Sequence, residues 1–85
     1  MALYTGIEFE VGFDAEYTCV VERDTAVGFG TAVVIAYLTG GTQHYTDPLP
    51  ISSTDYYYRA KNTRDGFADS SYSATLGPYK PVVLV

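Results

Sequence analysis

The sequence predicts an all-β domain, an antiparallel β-sandwich of six to seven strands. The chain has 85 residues, of which 47% are apolar and 18% charged; this is the composition of one globular domain. It contains nine Tyr, four Phe, eight Gly and four Pro, a content that favours strands and turns. Short apolar segments alternate with turn residues, and no helix of ordinary length fits anywhere.

The first two predicted strands each have a core face and a solvent face. Residues 6–13 alternate strictly between apolar and polar positions, and a period of two indicates a half-buried strand. A short polar break precedes the second strand, residues 17–23, whose inward residues are Tyr17, Cys19 and Val21. The apolar positions of the first strand are Ile7, Phe9, Val11 and Phe13.

Residues 31–38 predict a third strand in which both faces are apolar, which indicates that both are covered. The β-branched run and the Gly40-Gly41 pair after it favour a strand over a short helix, the competing interpretation. An exposed apolar stripe on a small soluble protein usually marks a contact, so we expect another subunit to cover the outer face. The residues of this expected outer stripe are Val34, Ala36 and Leu38.

Two more strands lie on either side of a proline-containing corner. Pro48 and Pro50 restrict the first to a short edge strand near residues 43–46. Residues 56–62 predict a strong strand, with Tyr56, Tyr58 and Ala60 inward and Tyr57, Arg59 and Lys61 outward. Tyr and Arg are enriched at interface hot spots, so Tyr57 and Arg59 are candidate contact residues. The alternative is that outward tyrosines occur here only because they suit strands.

The end of the chain predicts a hairpin strand and then an arm. The Asp65-Gly66 pair favours the positive φ of a tight turn, which would pair residues 70–76 back onto the preceding strand. Gly77-Pro78 then interrupts the chain. The sequence therefore divides into a sandwich, residues 1–78, and an extended C-terminal arm, residues 79–85.

Charge and motifs argue against an enzyme. The net charge is −5 and the pI about 4.4, so the chain repels phosphate and we expect neither nucleic acid nor a membrane as partner. His44 and Cys19 are single residues of their kind and no motif joins them, so we expect no catalytic residue. Cys19 lies on the inward face, where burial makes a thiol inert. Asp65 and Asp69 alone cannot supply the six or more oxygens that Ca²⁺ requires, so we expect no metal and no cofactor.

Membrane and export signals are also not expected. No run approaches the roughly 20 apolar residues of a membrane span. Residues 1–6 have neither a basic start nor a long apolar stretch, so they do not resemble a signal peptide.

The second half of the chain carries distinctive motifs. They are His44-Tyr45-Thr46-Asp47-Pro48-Leu49, Thr54-Asp55-Tyr56-Tyr57-Tyr58-Arg59-Ala60, Asn62, Gly66 and Ser71-Tyr72-Ser73. Together they resemble the second half of a bacterial or phage fibronectin type III domain. Less specifically, residues 7–13 and 17–23 look like strands B and C of that family. The resemblance implies an immunoglobulin-like sandwich, with Tyr56 as the tyrosine-corner residue and Phe13 near the place of the family's core Trp.

The sequence departs from this family in two ways. The core Trp is missing, which leaves space for Phe13, Phe29 or a tyrosine. Strand A is missing or reduced to residues 2–5, which would leave an unpaired sheet edge open to strand addition. The C-terminal arm has the composition of a strand A; it inserts into its own domain or into a neighbouring copy, or else it only extends the last strand or frays. The arm residues expected to make contacts are Tyr79, Pro81, Val82, Val83, Leu84 and Val85.

These observations predict a non-enzymatic structural or interaction protein. It resembles small phage virion components, such as capsid decoration, tail or fibre proteins, which are made in the host cytoplasm. Its expected partners are copies of itself or a capsid or tail protein, in a homo-oligomer or larger assembly. The alternatives are a fibronectin type III spacer or weak carbohydrate-binding module of a secreted bacterial protein, and a self-assembling extracellular filament subunit.

Overall fold

In the computed structural model, which describes residues 4–84, the chain forms two antiparallel sheets and the described residues include no helix. The three-stranded sheet has the order β4-β1-β7 and the four-stranded sheet the order β3-β2-β5-β6. The predicted all-β sandwich of about seven strands is confirmed. The strands are β1 (Tyr4–Val11), β2 (Thr18–Asp24), β3 (Val33–Leu38), β4 (Gln43–Asp47), β5 (Tyr56–Thr63), β6 (Leu76–Tyr79) and β7 (Val82–Leu84).

The core lies between the two sheets and follows the predicted alternation of β1. Glu8 and Glu10 are exposed, whereas the alternating residues Ile7, Phe9 and Val11 pack in or against the core. Phe13 is buried in the core, but Phe29 is buried elsewhere, beside Arg59 on the outer side of the second sheet. The buried core residues are Ile7, Val11, Phe13, Cys19, Val21 and Tyr58.

The two faces of β3 differ from the prediction. Ala36 and Leu38 lie opposite buried residues of β2 and pack against the core, because directly opposed residues share a face of the sheet. A bulge after Val21 then shifts the register and brings Val34 opposite Glu22, on the outer side. The predicted outer stripe is therefore wrong for Ala36 and Leu38, whereas Val34 lies on the outer side as expected. A bulge changes which residues share a face, and alternation alone does not show where it occurs.

The predicted strand at residues 70–76 is an irregular serine-rich segment, and β6 begins only at its end. The backbone N–H groups of Ser70 and Ser73 donate to the carbonyl oxygens of Asn62 and Ala60, at 2.9 and 2.7 Å. In return, the two serine hydroxyls accept the backbone N–H groups of Asn62 and Ala60. Hydroxyls thus replace backbone carbonyls, and the segment follows β5 without forming a regular ladder.

The C-terminal segment forms β7 and pairs with β1 of the same chain, Val82 opposite Gly6 and Leu84 opposite Tyr4. This placement corresponds to the alternative in which the arm inserts into its own domain. Tyr79 ends β6, so no break separates a sandwich from an arm at residue 79. Val85 lies outside the described residues.

The missing strand A is replaced only in part. Of the residues considered for a reduced strand A, residues 4 and 5 begin β1, and residues 2 and 3 lie outside the described part of the chain. β7 pairs with residues 4–6 of β1, while residues 7–11 pair with β4 on the opposite edge. Within residues 4–84, the β7-side edge of residues 7–11 therefore has no strand partner.

The structure predicts that Pro81 stabilises the pairing of β7 with β1. Pro81 connects the two sheets between β6 and β7 and is among the most deeply buried side chains. Pro81→Ala should lower the free energy of unfolding by about 1–3 kcal/mol more than Pro50→Ala, because it removes buried carbon atoms and leaves a cavity. Pro50 is exposed, so its substitution controls for the flexibility gained by the unfolded chain. Equal urea midpoints for the two variants would show that Pro81 does not support the fold.

Candidate functional site

A buried ionic cluster joins the two sheets at Asp47, the last residue of β4. Asp47 is 3% exposed, and Arg23 Nη1 donates to both of its carboxylate oxygens, at 2.8 and 2.9 Å. The Tyr58 hydroxyl donates to Asp47 Oδ2 at 2.6 Å. Arg23 and Tyr58 lie on β2 and β5 of the second sheet, so the carboxylate of one sheet holds two side chains of the other.

The two tyrosines on the inward side of β5 differ in burial and in their contacts. Tyr58 is 1% exposed and belongs to the core cluster. Tyr56 is partly buried, with the Arg23 guanidinium 5.6 Å from its ring centroid. The Tyr58 hydroxyl bonds to the Asp47 carboxylate. The assignment of Tyr56 as the tyrosine-corner residue stays a prediction.

The charges of this cluster make it a structural link between the sheets. Burial, with the adjacent Asp47 carboxylate, raises the pKa of the Tyr58 hydroxyl. Burial lowers the pKa of the Arg23 guanidinium, but the hydrogen bond to Asp47 and the nearby Asp47 charge, with smaller contributions from Tyr58 and Tyr56, together raise it by more, so the net direction is upward. Both Arg23 and Tyr58 therefore stay protonated across the neutral range, and neither of them exchanges a proton near pH 7.

The outer face of the four-stranded sheet carries a second polar cluster, around Glu22. Arg59 Nε and Nη2 each lie 2.9 Å from Glu22 Oε1, and the Tyr72 hydroxyl donates to Oε2 at 2.9 Å. The Arg59 guanidinium carbon lies 3.6 Å from the centroid of the Tyr72 ring and 4.6 Å from that of Phe29. Arg59, a predicted contact residue, is thus paired within its own chain.

Sequence reasoning missed the partners of Arg59. Glu22 and Tyr72 are 50 residues apart, and Phe29 lies in a loop, so strand periodicity gives no reason to bring them together. The available signal was Glu22 itself, the charged residue that directly follows the apolar run of β2 and lies opposite Arg59. Tyr57, the other outward candidate, lies opposite Asp24 and is half-buried.

The largest apolar exposure on a strand edge occurs on β3. Tyr37 is 70% exposed, Val33 49% and Val34 45%. β3 is the outermost strand of its sheet, and it contains no charged residue and no proline. Natural edge strands usually carry such residues to prevent pairing with another chain, so this edge is open to association.

The predicted contact residues of the C-terminal segment separate into two groups. Val82, Val83 and Tyr79 are exposed, and Leu84 is half-buried. Pro81 is buried within its own fold, which corrects its assignment as a contact residue.

The residues considered for chemistry lie apart from one another. The His44 ring nitrogens lie 3.9 Å from Glu8 and 3.8 Å from Glu10, on an exposed surface. Cys19 is buried, and this burial raises the pKa of its thiol. Asp69 is paired with Lys61 at 3.1 Å. In the described part of the chain, no three His, Cys, Asp or Glu residues are grouped to hold a metal ion.

Membrane insertion by a helix has no candidate segment: residues 4–84 contain no helix with the length and apolarity needed to cross a bilayer.

The fold and these surfaces were compared with known proteins. No family model, curated protein or solved structure matches this chain.

Removal of one hydroxyl should test the link between the sheets. Tyr58→Phe deletes a hydrogen bond to a buried carboxylate, and it should lower the free energy of unfolding by about 1.5–3 kcal/mol. Tyr57→Phe, on the outward side of β5, is the matched control and should change it by less than about 0.5 kcal/mol. Urea denaturation of both variants measures the difference; equal losses would contradict a specific role for Tyr58.

The loop after β2 should depend on the charge of Asp24. Burial raises the Asp24 pKa, but the Thr31 hydroxyl and the N–H groups of Thr31, Ala26 and Thr25 bond to the carboxylate and make the net shift downward. A carboxylate with a lowered folded pKa stabilises the fold above its unfolded pKa of about 4 and loses this contribution as pH falls further.

Asp24→Asn should therefore be less stable than the parent chain at pH 7, and this difference should shrink below about pH 4. Asp65→Asn, in an exposed turn, is the control. Thermal unfolding from pH 2.5 to 7 measures both. A difference between parent and Asp24→Asn that stays constant over this range would rule out the charge of Asp24 as the cause.

Proposed function

We propose that the chain is a non-enzymatic structural protein that associates with copies of itself through the edge of β3 and takes part in a larger assembly. The observation that carries this proposal is the β3 edge, an outermost strand that exposes Val33, Val34 and Tyr37 and contains no charge. The chain has a net charge of −5, yet none of its charged residues lies on β3.

A second copy is the partner that suits an uncharged strand edge. Two β3 strands related by a two-fold axis would pair antiparallel and join the two four-stranded sheets into one. With the axis between Ile35 and Ala36, Val34 lies opposite Tyr37 of the second copy. Aromatic and β-branched residues form favourable cross-strand pairs, and no like charges meet along the strand.

The size of this contact favours an assembly with several contacts over an isolated dimer. Six residues of strand span about 20 Å, and a contact of that length buries less than the roughly 1,200 Å² of a stable interface. Weak contacts gain strength when several act together. The exposed Val82 and Val83 on β7 offer a second apolar surface at the other sheet.

Small virion proteins of phages are the proposed setting. The resemblance to bacterial and phage fibronectin type III domains supports it, and the strand order supports the resemblance. β4 lies beside β1, as strand E lies beside strand B in immunoglobulin-like sandwiches, and β2, β5 and β6 follow the order C-F-G. In this setting the protein is made in the host cytoplasm and functions in the virion.

Charge placed on the β3 edge tests the proposal. Val34→Lys replaces the apolar residue opposite Tyr37 with a charge on both strands of the contact, and it should shift the association midpoint to at least about tenfold higher concentration. Val27→Lys is the control, because Val27 is exposed in the loop before β3. Sedimentation velocity over a concentration series, with circular dichroism to verify folding, measures the effect.

Two results would contradict the proposal. One is a parent chain that stays monomeric at millimolar concentration. The other is equal weakening by Val34→Lys and Val27→Lys, which would assign association to net charge and not to β3.

A further inference from the structure

The sandwich is open beside the unpaired half of β1. A cavity of about 250 Å³ lies between the sheets there. It occupies the flank that β7 leaves uncovered, because β7 ends its pairing at Gly6. The apolar residues lining it include Phe9, Val11, Cys19, Val21, Ala74 and Leu76.

The cavity lies where one more strand would fit. Residues 7–11 offer about 17 Å of strand edge whose backbone groups on that side have no strand partner within residues 4–84. Across the opening, residues 73 and 74 belong to the irregular segment and do not close it. The volume accommodates roughly two aliphatic side chains at protein packing density.

The charges beside the cavity restrict what can pair with β1. Glu8 and Glu10 are exposed on the solvent side of the strand, and the His44 ring lies within 4 Å of both. The other charged residue lining the cavity is Arg59, which is already paired with Glu22. A strand added here would direct alternate side chains inward to apolar atoms and outward beside two carboxylates.

We propose that this cleft binds an extended peptide segment of another protein, in which apolar and basic residues alternate, as a strand added to β1. Main-chain hydrogen bonds to residues 7–11 would hold the segment. Its apolar residues would fill the cavity, and its Lys or Arg residues would lie next to Glu8 and Glu10. This site is separate from the β3 edge and does not depend on self-association.

A second copy of the β1 edge does not suit this site. In each two-fold antiparallel register that overlaps the two glutamates and keeps apolar residues toward the cavity, a Glu of one copy faces a Glu of the other. Like charges directly opposite each other destabilise a strand pair. The acidic residues therefore disfavour self-pairing at β1 and favour a basic partner.

Synthetic peptides test the proposal directly. The probe is a short, end-blocked peptide of alternating valine and lysine, and the comparison peptides replace lysine by glutamate or place the valines and lysines in two blocks. Titration into the ¹⁵N-labelled chain should shift the backbone amide signals of residues 7–12 and 73–76. The alternating valine–lysine peptide should bind at least about tenfold more tightly than either comparison peptide.

Charge reversal tests the role of the two glutamates. The double variant Glu8→Lys and Glu10→Lys should lose about tenfold in affinity for the valine–lysine peptide and gain affinity for the valine–glutamate peptide. A reversed preference cannot arise from simple loss of folding.

Filling the cavity provides an independent test. Ala74 is exposed at the cavity, so Ala74→Trp should block binding without disturbing the core. Ala68→Trp, in the exposed loop after β5, should bind as the parent chain does.

The proposal would be overturned by the absence of shifts at millimolar peptide, by shifts confined to β3, or by equal binding of the lysine and glutamate peptides. Equal binding by Ala74→Trp and Ala68→Trp would also overturn it, since the peptide would then lie outside the cavity.

Discussion

An unpaired strand edge beside a hydrophobic core favours a further neighbour, because its unpaired backbone groups are costly where they are buried and attract other strands. No described strand precedes β1, so its second neighbour comes from the C-terminus. After β6 the chain crosses from the second sheet to the first at Lys80 and Pro81, and β7 pairs with the beginning of β1. The burial of Pro81 follows from this crossing, since its ring lies where the chain passes between the sheets. The three residues of β7 do not reach residues 7–11, and the cleft lies beside this unpaired part of β1.

The Asp47 cluster supplies a second link between the sheets. A buried ion pair contributes little unless its geometry is good and its remaining acceptor sites are used, because desolvation opposes it. Arg23 contacts both carboxylate oxygens and Tyr58 donates to one of them, so these conditions are met. The requirement for three groups in one place favours a single register of β2 and β5 against β4. An apolar contact at the same position would favour a single register less strongly, because apolar packing is not directional.

The sequence was sufficient to predict what depends on periodicity. The alternation of residues 6–13 gave the core face of β1, and the prolines at 48 and 50 gave an edge strand that ends before the corner. The errors arose where a long-range contact decides the outcome. The bulge after Val21 places Ala36 on the opposite face of the sheet from the one predicted. At residues 70–76, serine hydroxyls replace part of the expected ladder of backbone hydrogen bonds. For the candidate surfaces, composition gave the apolar character of β3, but only the three-dimensional arrangement shows that Arg59 is already paired and that β7 stops short.

The two open edges of the sandwich differ in charge, and this difference separates their partners. β3 carries no charge, so two copies would pair there without repulsion. At β1, a pairing with a second copy that keeps the apolar residues inward and overlaps both glutamates would place Glu8 or Glu10 opposite another glutamate. Charged residues on an edge strand usually prevent association of any kind. At β1, however, an apolar cavity lies behind the charged residues. Charges that serve only to prevent strand pairing do not require such a cavity. Acidic residues in front of an apolar cleft exclude identical chains and still admit a basic strand. The two proposed contacts, with a second copy and with another protein, would therefore use separate edges of one small domain.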